Sequence, residues 1–134
     1  MRNSAELVVR GFLATFPRSD VDEMMAFFAE DAIYADGARA THRGVEAIRE
    51  ALQATIKVMP STTTELKNLV AGDAVVMTER VDYFEIAGTQ FDSEVVGVFE
   101  VNEAGRISRW SSYYDMRSLE ERVTAGLAAQ DQKS

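Results

Sequence analysis

The second half of the chain reads as almost unbroken strand, and this limits the possible folds more than any other feature. Strand-like runs cover residues 62–70, 74–85, 91–101 and 106–115. Turns at Gly72-Asp73, Ala87-Gly88 and Glu103-Ala104-Gly105 separate them. Alternating runs divided by glycine turns predict neighbouring antiparallel strands. Helical spacing dominates before them. Ala5, Val8, Phe12 and Phe16, widened by Val9 and Leu13, mark a first helix that Pro17 stops. Asp20 caps a second, with Glu23 as its capping-box partner and Met24, Met25, Phe27 and Phe28 as its apolar side. Residues 31–35 then read as a short strand. Gly44 opens a third helix, with Val45, Ile48, Leu52 and Ile56 inward and Pro60 just beyond its end. A final helix carries Met116, Leu119, Val123 and Leu127. Helices mostly first and strands mostly later predict an α+β fold with an antiparallel sheet. Half-closed by helices, such a sheet offers a concave apolar face, where small molecules bind.

The 134 residues suit one domain over 1–134 with one core, and residues 130–134 read as a polar tail. A net charge of −8 disfavours nucleic acid or an anionic membrane surface as partner. With no cysteine, disulfides, thiolate catalysis and cysteine zinc sites are excluded. One histidine leaves no ligand cluster for a transition metal, so no metal or cofactor is expected. No apolar run reaches the ~18 residues of a membrane span, and Met1-Arg2-Asn3-Ser4-Ala5-Glu6 is no signal peptide; cytoplasm is the default location.

Period-2 alternation sorts the second run into two faces. Val76, Thr78, Arg80, Asp82 and Phe84 share one; Val75, Met77, Glu79, Val81 and Tyr83 share the other. Arg80 and Asp82 thus stand side by side. On a solvated face they are an ordinary cross-strand pair. On the concave face they are an ion pair in an apolar cup, at a desolvation cost of several kcal/mol that a fold has no need to bear. The last run aligns Arg106, Ser108, Trp110, Ser112 and Tyr114. Trp110 and Tyr114 are candidate pocket walls or plain core, and Ser112 is the small polar member. Tyr34 and Asp36 lie on one side of the short strand, although an Asp before Gly37 is also a common turn residue. His42, beside Arg43 and before a helix, reads as a loop or cap residue rather than a base.

These residues carry a resemblance. Phe28-Ala29-Glu30-Asp31-Ala32-Ile33-Tyr34 and Arg43-Gly44-Val45-Glu46-Ala47-Ile48 resemble the general signature of the ketosteroid-isomerase-like, nuclear-transport-factor-2-like cone family. Thr78-Glu79-Arg80-Val81-Asp82, Gly97-Val98-Phe99, Gly105-Arg106-Ile107 and Trp110-Ser111-Ser112-Tyr113-Tyr114-Asp115 resemble its limonene-epoxide-hydrolase branch, over roughly residues 5–124. The resemblance implies a cystatin-like cone. In it a strongly curved, mixed but mostly antiparallel sheet wraps an apolar pocket between N-terminal helices and a C-terminal helix. It also implies a metal-independent Asp–Arg–Asp relay, with Arg80 as bridge, Asp82 as general acid and Tyr34 as the water-binding tyrosine.

Two positions depart from that pattern. Ser112 stands where the water-activating Asp belongs, and a serine hydroxyl cannot deprotonate water at neutral pH. Asp36 stands where an Asn belongs, which is also where ketosteroid isomerases carry their base. Gly11 or Phe12 lies where those isomerases keep an oxyanion-hole tyrosine. Three functions follow as expectations. The first is a cofactor-independent epoxide hydrolase with its base moved to Asp36, acting on a small cyclic or terpenoid-like epoxide. The second is an isomerase, dehydratase or cyclase in which Asp36 removes a proton next to a carbonyl. The third is a non-catalytic hydrophobic-ligand-binding domain. Phe84, Phe91, Val95, Phe99, Trp110 and Tyr114 are the expected substrate-binding surface. A homodimer is expected by resemblance, through the apolar Val75, Met77, Val81 and Tyr83 face.

Overall fold

The computed structural model describes residues 4–133. Helix α1 (Ser4–Leu13) buries Ala5, Val9, Phe12 and Leu13. The chain leaves it three residues before the expected stop, and Pro17 sits inside a 3-10 turn, Phe16–Arg18. Asp20 caps α2 (Val21–Met25) by accepting the Glu23 N–H at 3.2 Å. The Glu23 carboxylate does not close a capping box; it accepts from Arg18 instead.

α2 ends at Met25, so Phe27 and Phe28 are not on it, and the next strand is longer than expected. β1 runs Phe28–Asp36. Its extension comes from a distant partner: the Ile107 N–H bonds to Phe27 O at 2.7 Å, and Phe28 pairs with Ile107. A tight hairpin returns as β2 (Ala40–Arg43), which opposes His42 to Tyr34. His42 is therefore a strand residue, its ring 5.5 Å from that of Tyr34, and not a loop or cap residue. Gly44, at φ 88, opens α3 (Val45–Val58), which buries Ile48 and Leu52.

β3 (Thr63–Ala71), β4 (Val75–Ile86), β5 (Thr89–Val101) and β6 (Ile107–Tyr113) complete a six-stranded sheet. The order is β2-β1-β6-β5-β4-β3, antiparallel except where β1 runs parallel to β6. The sheet is mixed, curved and closed by helices, an α+β cone. α4 (Met116–Lys133) packs against β5. Residues 130–133 are helical, and Ser134 of the expected polar tail lies outside the described residues. Gln130 accepts from Thr89 Oγ1 at 2.6 Å and donates to Ala87 O at 2.7 Å. No helix among the described residues is long and apolar enough to cross a membrane.

One end of the cone is solid core. Phe12 meets Phe16, Phe28 and Trp110 edge to face at 5.3, 5.2 and 4.9 Å, arrangements favoured by the ring quadrupole. A bulge lies between β5 and β6, where Glu100 opposes Arg109 but Val101 opposes Ile107. The extra residue, Ser108, resets the alternation. Ile107 therefore turns inward, and Arg106 and Ser108 do not share the face of Trp110 and Ser112 as simple alternation predicts.

Candidate active site

Above that core the sheet and helices enclose a cavity of about 660 Å³. One wall is polar and built on strands: Tyr34, Asp36, Arg80, Asp82, Ser93 and Ser112 line it. The opposite side is apolar and built largely on helices, with Met24, Leu52, Ile56, Leu119 and Val123. The concave face of β4 is the one carrying Val76, Thr78, Arg80, Asp82 and Phe84. On its outer face Met77, Glu79 and Tyr83 are exposed, and only Val81 is buried there.

The Arg80 and Asp82 side chains are 3% and 14% exposed, and Nε meets Oδ1 at 3.0 Å. Thr64, opposite Asp82 on β3, donates its hydroxyl to the same oxygen at 2.9 Å. Both bonds land on Oδ1 and neither uses Oδ2. Alternation alone hid Thr64, because a bulge at Lys67 shifts the β3–β4 register by one residue. The guanidinium lies over Gly97, where an added Cβ would stand 2.7 Å from Nη1. Nη1 is buried without a hydrogen-bond partner, and so is Ser112 Oγ. With Trp110 Nε1, also buried and unpartnered, three such atoms belong to residues lining the cavity, which is uncommon and calls for a physical explanation.

Register connects these groups. Asp36 opposes Ser112 on β6, Ser112 opposes Gly97 on β5, and Arg80 Nη1 stands over Gly97. Neighbouring strands are about 4.8 Å apart, so Asp36 and Gly97 are separated by about 10 Å with Ser112 between them. The Tyr34 ring stacks on Trp110 at 4.0 Å and 10°. Burial first, and then the Asp36 charge, raise the Tyr34 hydroxyl well above the ordinary phenol range. Tyr34 therefore keeps its proton on the cavity wall that also carries Asp36. From the other side Tyr114 donates to Asp36 Oδ1 at 3.0 Å. Burial, then Asp36, push the Tyr114 phenol up to about 12. At the mouth, Arg39 and Glu120 approach to 3.7 Å.

Of the expected substrate-binding residues, Phe84, Val95, Trp110 and Tyr114 line the cavity, whereas Phe91 and Phe99 do not. The cavity is shorter than the strand. Phe99 is fully buried in the core beside Phe12 and Trp110. Phe91 is covered by α4, its ring against Gly126. Among the described residues, no three His, Cys, Asp or Glu side chains converge as a metal-ligand group.

The chain matches the SnoaL-like domain family over residues 9–110. It is 28% identical over 121 residues to epoxide hydrolase EphG of Mycobacterium tuberculosis, covering 90% of this chain and 80% of that one. The structure of an M. tuberculosis LEH-like epoxide hydrolase superposes with a TM-score of 0.81 at 27% identity, over 98% and 97% of the two chains. SalBIII, an epoxide hydrolase/cyclase-like enzyme of pyran ring formation in salinomycin, shares the fold, with a TM-score of 0.75 at 20% identity over 84% and 92%. The chain belongs to the SnoaL-like domain family.

Proposed function

We propose that the protein is a cofactor-independent epoxide hydrolase for small hydrophobic epoxides. The observation that carries this reading is the pair of carboxylates on one wall of an apolar cavity, each held differently: Asp82 by Arg80 and Thr64, Asp36 by the Tyr114 phenol. Water held by Asp36, Tyr34 and Ser112 gives its proton to the Asp36 carboxylate as its oxygen attacks an oxirane carbon. The carbon–oxygen bond breaks, and Asp82, carrying a proton in the reactive complex, donates it through Oδ2 to the departing oxygen, completing the diol. Arg80 stabilises the charge that develops there. Exchange with solvent returns both carboxyls to their starting states. Proton transfer by groups so placed contributes roughly 10²–10⁴-fold each. Phe84, Val95 and Trp110 hold the apolar body of the substrate.

The test is turnover of cyclic and terpenoid epoxides in ¹⁸O-labelled water. Labelled diol is expected, with Asp36→Asn and Asp82→Asn each slower by at least about 10²-fold. Absence of diol from every member of the panel overturns the proposal.

Ser112, with no carboxylate at that position, favours a second reading in which Asp36 removes a proton next to a carbonyl. Deuterium exchange at such a carbon, without diol formation, would select it. The reading includes a homodimer through the outer face of the sheet, where Val70, Met77, Tyr83, Val96 and Tyr113 are exposed. A monomer at micromolar concentration by analytical ultracentrifugation would exclude the dimer.

A further inference from the structure

Tyr114 and Asp36 lie 78 residues apart in sequence and come together through a 3.0 Å hydrogen bond. Tyr114 stands one residue past the end of β6, so no ladder bond orients its ring. Gly37 does so. Its N–H bonds to Ser112 O at 2.8 Å, which ties the end of β1 to β6. Its φ of 55° belongs to the left-handed region, and a Cβ built on it would stand 2.9 Å from Tyr114 Cε1. Any other residue there would be strained and would push the ring away. The hairpin glycine therefore creates the space through which Tyr114 reaches the carboxylate.

The bond matters because of where Asp36 stands. It is the last residue of β1, next to the turn, and half-buried. A carboxylate at such a position has several rotamers open to it. A base must hold its oxygen about 2.6–3.2 Å from the proton it takes. Tyr34 lines the same cavity wall, and Tyr114 closes on Oδ1 from the mouth side, where its ring is partly exposed. A carboxylate has about four acceptor positions, so the Tyr114 phenol can anchor it and still leave room for a reacting proton.

We infer that Tyr114 is a positioning residue that fixes Asp36 for proton abstraction, and that Gly37 is the glycine that admits it. This rests on the reading of Asp36 as the base. If Tyr114 were only cavity wall, its hydroxyl would be dispensable and phenylalanine would serve equally well.

Tyr114→Phe keeps the ring and deletes the bond. The expected result is a kcat lower by about 10-fold or more with KM within about twofold, since the apolar surface is retained. Gly37→Ala displaces the ring without touching the hydroxyl and should show the same split. Unchanged kcat in Tyr114→Phe, or a raised KM at constant kcat, overturns the inference; the latter would make Tyr114 a substrate contact. Failure of the wild-type protein to form any diol refutes the hydrolase reading instead. The bond is then judged by a urea-denaturation cycle of Tyr114→Phe, Asp36→Asn and the double variant. Non-additive losses support the positioning contact, and additive losses overturn it.

Discussion

Replacing Arg80 by methionine separates charge from packing in the cavity wall. The guanidinium and its partner carboxylate are 3% and 14% exposed, and Thr64 adds a second bond to the same oxygen. Removing the cation leaves Asp82 without its counter-charge in a site largely closed to water. Breaking a buried pair from one side costs about 3–5 kcal/mol. Domains of this kind have only about 5–15 kcal/mol in total, so the single variant should be severely weakened. Removing both charges is different, because the desolvation penalty disappears along with the attraction. Arg80→Met with Asp82→Leu should return to within about 2 kcal/mol of wild type. Methionine also retains apolar contact towards the Phe16 ring, whose centroid is 6.0 Å from Arg80 Cζ. Urea unfolding measures all three proteins, with Trp110, the only tryptophan and part of the cavity wall, as the fluorescence reporter. The double variant should be folded and unable to form diol. A single-variant loss below about 1 kcal/mol would mean that the pair behaves like a solvated surface bridge. A double variant as unstable as the single would assign the cost to packing, and an active double variant would remove the pair from the chemistry.

Gly97→Ala should cost about 1–3 kcal/mol in urea unfolding, and should slow turnover by displacing the guanidinium. Its new Cβ would meet Arg80 Nη1 at 2.7 Å, Thr78 Oγ1 at 2.9 Å and Phe99 Cε1 at 3.0 Å. Ser112→Ala should leave stability within about 1 kcal/mol, because the hydroxyl has no partner to lose, and should lower kcat in the diol assay. Tyr34 and Tyr114 both have phenol pKa values raised on folding, so their contribution to stability is complete below about pH 10 and is lost as pH rises. For Tyr114 that loss runs from pH 10 to about 12. Urea midpoints measured across that window should fall less steeply in Tyr114→Phe, and an identical slope would refute the assignment.

The four later strands and the sorting of β4 into two faces were legible because alternation and glycine turns are local signals, whereas which face turns inward was not. Arg80, Asp82 and Phe84 could be placed together from that alone. What remained hidden depended on partners elsewhere in the chain. The first half of β1 exists because β6 pairs with it, and β2, with His42, exists because the hairpin at Gly37 folds back on β1. Bulges at Lys67 and Ser108 each shift a register by one residue, which concealed Thr64 and turned Arg106 and Ser108 out of line. Phe91 and Phe99 show a further limit. Alternation gives the face of a residue, but whether that face meets a cavity, a core or a helix depends on what covers it.

The exchange at positions 36 and 112 has a simple geometric meaning. Asp36 and Ser112 are direct partners across the parallel β1–β6 pair. Relative to the pattern that the sequence resembles, the carboxylate has crossed one strand spacing, about 4.8 Å, and stayed on the same face. A water lying between the two positions is within reach of either. What changes is the wiring. A carboxylate at 112 would stand beside Arg80 Nη1 over Gly97, and the unpartnered Nη1 and Ser112 Oγ mark where that contact is missing. The hydrogen bonds of these residues instead form two separate systems, Thr64–Asp82–Arg80 and Asp36–Tyr114. In the proposed mechanism acid and base are thereby uncoupled from a shared guanidinium, and the Tyr114 phenol takes over its orienting role at Asp36. An uncoupled base can take its proton from water or from a carbon acid with equal geometric ease. The substrate that fits between the two carboxylates therefore decides the reaction, and the epoxide and carbonyl panels test that choice directly.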